Sequence, residues 1–366
     1  VLLIQPQSLL AADHAGQVRR VALARADLEG LWWCDEPVFA ANVRVCAPLL
    51  RRRVGDGHGS PPLPPGSRGG AGAPAATPIG AGSVRRWSGP SVAARASAPA
   101  PPEPPAPGAA RSTTWSSLVT HGGVPEVDLG AGTGVVGDIA TATAGFRDQF
   151  YGLAPFVVDR REGDGHRYPK LVTSGLLDPA HCRWGDRPVR FAGKPWQAPR
   201  VDRAGLAAEN PRLAAWVDAR LVPKVVLATQ TKVLEAAVDP DGTWVPSVPV
   251  IAVHAAGERL WALAAVLLAP PISAWALTGF RGAALSSDAI KLSARQVMAI
   301  PLPSDGVAWA AAAELLRHGG RDALREAGVL MNRAYGAPPE VLAWWEARIP
   351  SGADRRHSRA APQPVG

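Results

Sequence analysis

Residues 260–303 read LWALAAVLLAPPISAWALTGFRGAALSSDAIKLSARQVMAIPLP. The first part, 260–280, carries no charge and reaches the ~20 residues that a bilayer span needs. Pro270-Pro271 sits in its middle. Proline removes an amide donor and clashes with the preceding helical turn. The stretch therefore predicts two short buried helices, over about 258–277, rather than a membrane span. A Gly, a polar stretch and a short helix follow, ending at Ile300-Pro301-Leu302-Pro303. On that helix Lys291 and Arg295 lie four apart and share a face, with Ser286, Ser287 and Asp288 as N-terminal caps. Phosphate contact and a solvated face fit the pair equally.

Upstream of this module the sequence predicts strands. Lys224 to Gln230 (KVVLATQ) and Val248 to Val253 are apolar, β-branched runs. Asp241-Gly242 between 232–239 and 244–253 is a hairpin signal. Lys224 and Lys232 are evenly spaced, which puts them on one face if a single strand carries both. With Gln230 they form a candidate phosphate-contacting stripe. Asp138 to Phe146 (DIATATAGF) predicts a strand running into a Gly turn. Arg147, Gln149 and Tyr151 follow as a polar, aromatic loop that suits phosphate, base-edge and stacking contacts; a plain surface loop reads the same. Downstream, Trp309 to Arg317 and Pro338 to Arg348 predict amphipathic helices, and 351–366 a frayed basic tail.

Three further zones precede this domain. Residues 1–50 read as strand (Val1 to Ile4), a helix from Ser8 to about Ala26, and strands over Leu28 to Cys34 and Val43 to Leu50. Residues 51–112 are dominated by Pro, Gly, Ala, Ser and Arg, as in PPEPPAPGAA, and predict a disordered linker with Trp87 as an isolated aromatic. The second domain is expected over 113–350. The start is no signal peptide, and the absence of Met at position 1 suggests a chain that begins inside a longer reading frame.

The formal charge is +8, with a pI near 10.0, which favours polyanion partners. Only five of the 39 basic residues are Lys, so codon bias toward Arg gives the same balance. Cys34, Cys46 and Cys182 form no C-x-x-C pattern, and the eight His show no metal spacing. A disulfide framework, a metal centre and a Ser/His/Asp hydrolase are disfavoured, and a reducing cytoplasm fits.

In order and spacing, 1–50 and 136–303 resemble the C-terminal part of the γ-order, adenine-specific DNA methyltransferases of restriction-modification systems. The residues that carry the likeness are Leu2 to Leu10, Leu31 to Leu50 with Phe39, Val43, Val45 and Cys46, then DIATATAGF and the 260–303 module. The resemblance implies a mixed α/β (α+β) fold: the edge of a Rossmann-like methyltransferase sheet, the linker, and an α+β target-recognition domain. It implies methyl transfer from S-adenosylmethionine to the exocyclic amine of an adenine flipped out of duplex DNA. The family's cofactor motif and Asn-Pro-Pro-aromatic motif would lie before Val1. The nearest string here is Ser60-Pro61-Pro62-Leu63, inside the linker and without the aromatic. The chain is therefore expected to be inactive alone, and to need an upstream or separate catalytic portion.

One string competes with that conclusion. DLGAGTG at 128–134 looks like the first motif of S-adenosylmethionine-dependent methyltransferases, with Asp128, Gly130, Gly132 and Gly134 around the cofactor and Asp159 on the ribose. Its surroundings disagree. The preceding strand is short, and the following VVGDIATATAGF is a poor helix former. A non-catalytic DNA-specificity subunit and a methyltransferase using 128–134 stay open beside the main reading.

Overall fold

A computed structural model describes residues 1–12, 15–34, 36, 38–39, 44–52, 84–89, 115–119, 123–130, 132–145, 147–160, 162, 165–280, 284 and 288–349. Most of the expected linker, the expected caps Ser286 and Ser287, and the tail at 351–366 lie outside these residues. The chain divides into two compact units, Val1–Gly122 with Thr278–Asp288, and Gly123–Leu277 with Ala289–Gly366. The architecture is mixed α/β, with several sheets and helices.

The first unit is built on a four-stranded sheet in the order Gln5–Pro6, Val45–Arg52, Ala26–Cys34, Arg85–Ser88. The first two pairings are antiparallel and the last is parallel. Ala26–Cys34 is buried on both faces: Leu31 and Trp33 pack with Leu10, Cys46 and Trp115, while Trp32 and Cys34 pack with Val45 and Ala47. Such two-sided burial belongs to an inner strand. Gln7 is buried and donates from Nε2 to the Cys34 carbonyl at 2.8 Å, which meets the need of an amide taken out of water.

Several expectations change here. Val1 to Ile4 is not a buried strand; all four residues are exposed, Leu2 makes an isolated antiparallel bridge to Leu49, and the regular strand begins at Gln5. The helix expected from Ser8 is broken into Ser8–Ala11 and Gly16–Arg25. Trp87 is not isolated. It belongs to Arg85–Ser88 and lies over Gly30, where an added Cβ would stand 2.8 Å from its ring. Trp115, Leu118 and Val119 join the core of the first unit, so the division falls after Gly122 rather than at 113.

The second unit contains two four-stranded sheets. One runs Ala236–Asp239, Lys224–Leu227, Ile251–Ala255, Ala140–Ala144, antiparallel throughout. The other runs Trp244–Pro246, Lys170–Val172, Pro199–Val201, Val157–Asp159. The Asp241-Gly242 turn therefore does not close a hairpin. Ala236–Asp239 and Trp244–Pro246 part into different sheets, and Gly242 takes a positive φ of 67° packed against the Val222-Pro223 backbone.

Arg259–Leu268 and Pro270–Gly279 are the two short helices expected around the proline pair, bent by 57°. Nearly all of 263–274 is buried. Among the described residues no single helix is long and apolar enough to cross a membrane. Helices Gly306–Gly319 and Pro339–Glu346 match the two expected downstream, and a third between them, Leu324–Ala334, went unread.

Candidate nucleic-acid interface

The Gly-rich tract has no strand before it and no helix after it. Residues 124–130 are irregular, and Val136–Asp138 is a single 3-10 turn leading into Ala140–Ala144. The tract runs instead against the Ile300–Pro303 stop. Leu302 N–H donates to the Gly134 carbonyl at 2.9 Å, Val136 N–H to the Ile300 carbonyl at 2.8 Å, and Thr133 Oγ1 to the Pro303 carbonyl at 3.2 Å. Gly132 lies so close that a Cβ there would overlap the Leu302 carbonyl oxygen. Asp128 accepts from the Gly130 amide at 2.9 Å, closing a local turn, with Gly130 at φ 65°. The space beside Gly132 is filled by the Leu302 backbone and that beside Gly134 by the Asp138 carboxylate, while Gly130 alone is open. Asp159 sits on the other sheet, where its carboxylate accepts from the Gln197 and Ala198 amides. The residues do not fit a cofactor loop.

Arg147, Gln149 and Tyr151 form a helix, Arg147–Leu153, rather than a loop. Its inward residue Leu153 is buried, while Arg147 and Tyr151 are exposed and stack, guanidinium to ring centroid, at 5.2 Å. That i,i+4 spacing puts cation and aromatic on one helix face. Gln149 lies on the same helix, half-buried.

Lys224 corrects the expected basic stripe. It is fully buried, and its Nζ is paired with Asp239 directly across the antiparallel register and donates to the Val222 carbonyl at 3.1 Å. Burial lowers its pKa, and Asp239 opposes that shift. A buried, paired ammonium cannot reach a phosphate. The strand ends at Leu227, so Lys232, which is exposed, does not share a face with it. Between them Gln230 takes a left-handed φ of 68°, fixed by its N–H donating to the Ile290 carbonyl at 2.9 Å. Lys291 and Arg295 are both exposed, but they do not share a helix face. The helix is only Ala294–Met298, capped by Ser293 and Gln296 in a reciprocal box, and Lys291 precedes it outside any helix.

His254 faces this buried pair. Desolvation lowers its pKa first and the Lys224 charge second, against a hydrogen bond with the Pro223 backbone; Arg220 lowers it further. The folded protein then keeps His254 neutral while the unfolded chain takes up a proton, so stability falls as pH drops through the usual histidine range near 6.5. Denaturant titrations at pH 7.5 and 5.5 should show a smaller loss in His254→Gln than in the wild type. An equal loss would show that His254 is not coupled to folding.

Sequence reading missed a dense cationic and aromatic group among the described residues of the second unit. Lys170 and Arg200 are cross-strand partners, and both face the Trp184 ring, at 4.9 and 4.6 Å from its centroid. Arg160 and Arg167 face the Tyr168 ring at 4.4 and 5.4 Å. Arg200 is buried and ties the group together by donating to the Arg160 and Tyr168 carbonyls at 3.0 and 2.6 Å. Burial, then the nearby Arg160, lowers its pKa. Arg160 and Arg167 are exposed and Lys170 is half-buried, so three cations remain open to a polyanion. The ring faces hold these side chains in place, which reduces the entropy lost on binding. The only hint in the sequence was the mixture of Arg, Tyr and Lys within 160–170.

No family model and no curated protein matches the chain. Among solved structures, a Type IIL restriction-modification enzyme, MmeI, determined in complex with DNA, is similar at a TM-score of 0.46 and 10% sequence identity. The similarity covers 95% of this chain and 48% of that one, so the chain spans about half the length of the enzyme that it matches.

Proposed function

We propose that this chain is the DNA-recognising portion of a site-specific adenine DNA methyltransferase of restriction-modification type. In this reading the second unit grips duplex DNA, and an upstream or separate catalytic portion, working in the cytoplasm, holds S-adenosylmethionine and the Asn-Pro-Pro-aromatic motif. The observation that carries it is the set of Arg160, Arg167 and Lys170 stacked on Tyr168 and Trp184. A stripe of ordered cations suits phosphate contact, which positions the protein on the duplex, while base edges are read elsewhere. Arg147 and Tyr151, with Gln149 for an adenine edge, supply a second contact on a helix face. Lys232, Lys291, Arg295 and Gln230 remain as further proposed contacts; Lys224 is withdrawn.

Each phosphate contact releases counterions, so affinity should fall with salt with a log–log slope of about −0.9 per contact. Replacing Arg160, Arg167 and Lys170 with Gln should weaken binding to all duplexes and flatten the slope by roughly 2–3 units. Gln149→Ala should relax sequence preference with little change in slope. Fluorescence anisotropy across a salt series reads both. An unchanged slope in the triple variant would remove this surface from the DNA interface.

A further inference from the structure

In the second unit Val189–Phe191 and Lys194–Trp196 form a two-stranded antiparallel ribbon that joins no larger sheet among the described residues. Ala192 and Gly193 close it with positive φ at both, 49° and 79°, the turn whose twist matches that of the strands it links. One face of the ribbon is anchored. Val189 and Phe191 are buried, the Phe191 and Phe150 ring centroids are 4.7 Å apart, and Trp196 Nε1 donates to the Phe191 carbonyl at 3.0 Å. Side chains alternate along a strand, so Arg190, between Val189 and Phe191, leaves by the other face. It is exposed, and so are its cross-strand partner Pro195 and, at the tip, Gly193 and Lys194. A Cβ at Gly193 would meet only open space.

The ribbon links the two surfaces assigned to phosphate. At its base Trp184 Nε1 donates to the Pro199 carbonyl at 2.8 Å and Gln197 Nε2 to the Gly185 carbonyl at 3.0 Å, and Trp184 is the ring under Lys170 and Arg200. Near its tip Phe191 packs on Phe150, which belongs to the helix that carries Arg147 and Tyr151. Three residues of strand cover about 10 Å. The major groove is ~12 Å wide and admits a two-stranded ribbon. Arg190 is also held ready. Its Nη2 donates to the Gly193 carbonyl at 2.9 Å, which draws the guanidinium toward the tip and leaves its other N–H groups to a ligand. Among the described residues neither Arg190 nor Lys194 makes an ion pair. Asp159, the acid at the base, accepts from the Gln197 and Ala198 amides. An exposed arginine fork without a carboxylate matches the O6 and N7 acceptors that guanine shows in the major groove.

We propose that this ribbon enters the major groove of duplex DNA and that Arg190 reads a guanine there through O6 and N7. The proposal rests on the DNA-binding reading above and adds to it the element that reads a base.

The test uses the full chain and the duplex that it selects from a randomised pool, made once with guanine and once with 7-deazaguanine. The modified base lacks the N7 acceptor and keeps its Watson–Crick pairing. The wild type should bind the modified duplex roughly 5-fold or more weakly, the low end of what one bidentate base contact is worth. Arg190→Ala should bind the guanine duplex at that same weakened level and no longer distinguish the two, with circular dichroism confirming its fold. Equal wild-type affinity for the two duplexes, or a selected duplex with no preferred guanine, overturns the proposal. So does an Arg190→Ala protein that still prefers guanine, because the base is then read elsewhere. In each of these cases duplex binding itself persists and the DNA-binding reading stands. A wild-type chain that binds no duplex overturns both.

Discussion

Asp239→Ala should destabilise the second unit by about 3–5 kcal/mol, because it leaves the Lys224 ammonium charged and unpaired in the interior. For a domain of this size that corresponds to a fall in melting temperature of roughly 6–20 °C. The carboxylate has a second task that adds to the loss. It accepts from the Thr243 amide at 3.1 Å and the Trp244 amide at 2.9 Å, fixing the turn from which the chain crosses to the other sheet. Lys224→Met should cost less, since Asp239 keeps those two amide donors when the ammonium is gone. Denaturant titration monitored by circular dichroism reads both. A loss below about 1 kcal/mol for Asp239→Ala would show the pair to be solvated, as surface pairs are. The same Lys224→Met protein should bind DNA with an unaltered salt slope. A flatter slope would return Lys224 to the phosphate surface.

The second large effect is expected at Gly132. A methyl group there meets the Leu302 carbonyl, which is backbone and cannot swing aside. Gly132→Ala should therefore cost about 2–3 kcal/mol as the tract and the Ile300–Pro303 stop are pushed apart. Gly130 offers the contrast. It has open space and a positive φ, so Gly130→Asn should be nearly neutral and Gly130→Ala should cost about 1 kcal/mol. This ranking follows packing, whereas a cofactor loop would rank the glycines by their closeness to a ligand. Calorimetry of the wild-type chain with S-adenosylmethionine should give no heat. Micromolar binding that Gly132→Asp abolishes would reverse the assignment.

Local signals were the readable ones. Pro270-Pro271 marked the break between two buried helices, and β-branched runs marked Lys224–Leu227 and Ile251–Ala255. The poor helix propensity after Gly134 already argued against a cofactor loop. Pairing between distant segments was not readable. Lys224 looked like a surface cation because its partner lies fifteen residues on, in a register that only the assembled sheet defines. Arg85–Ser88 is too short to show a period and sits between Pro- and Gly-rich stretches. The cationic group comes from separate strands and a turn, at 160, 167, 170 and 200 around 168 and 184, and topology alone brings it together. Lys291 and Arg295 had helical spacing, but Ser293 started the helix between them.

The clasp between the Gly-rich tract and Leu302-Pro303 also sets an order of events on the ribosome. Thr133 and Pro303 are 170 positions apart in the chain. At ~5–20 residues per second, roughly 10–35 s pass between the synthesis of one half of the clasp and the other. Throughout that interval the Gly134 carbonyl and Val136 amide have no native partner, so the segment that opens the unit waits for the one made near its end. The second unit cannot close its entry segment until most of it has been translated, and a ribosome stalled before Ile300 would hold a product with that segment open to proteases and chaperones.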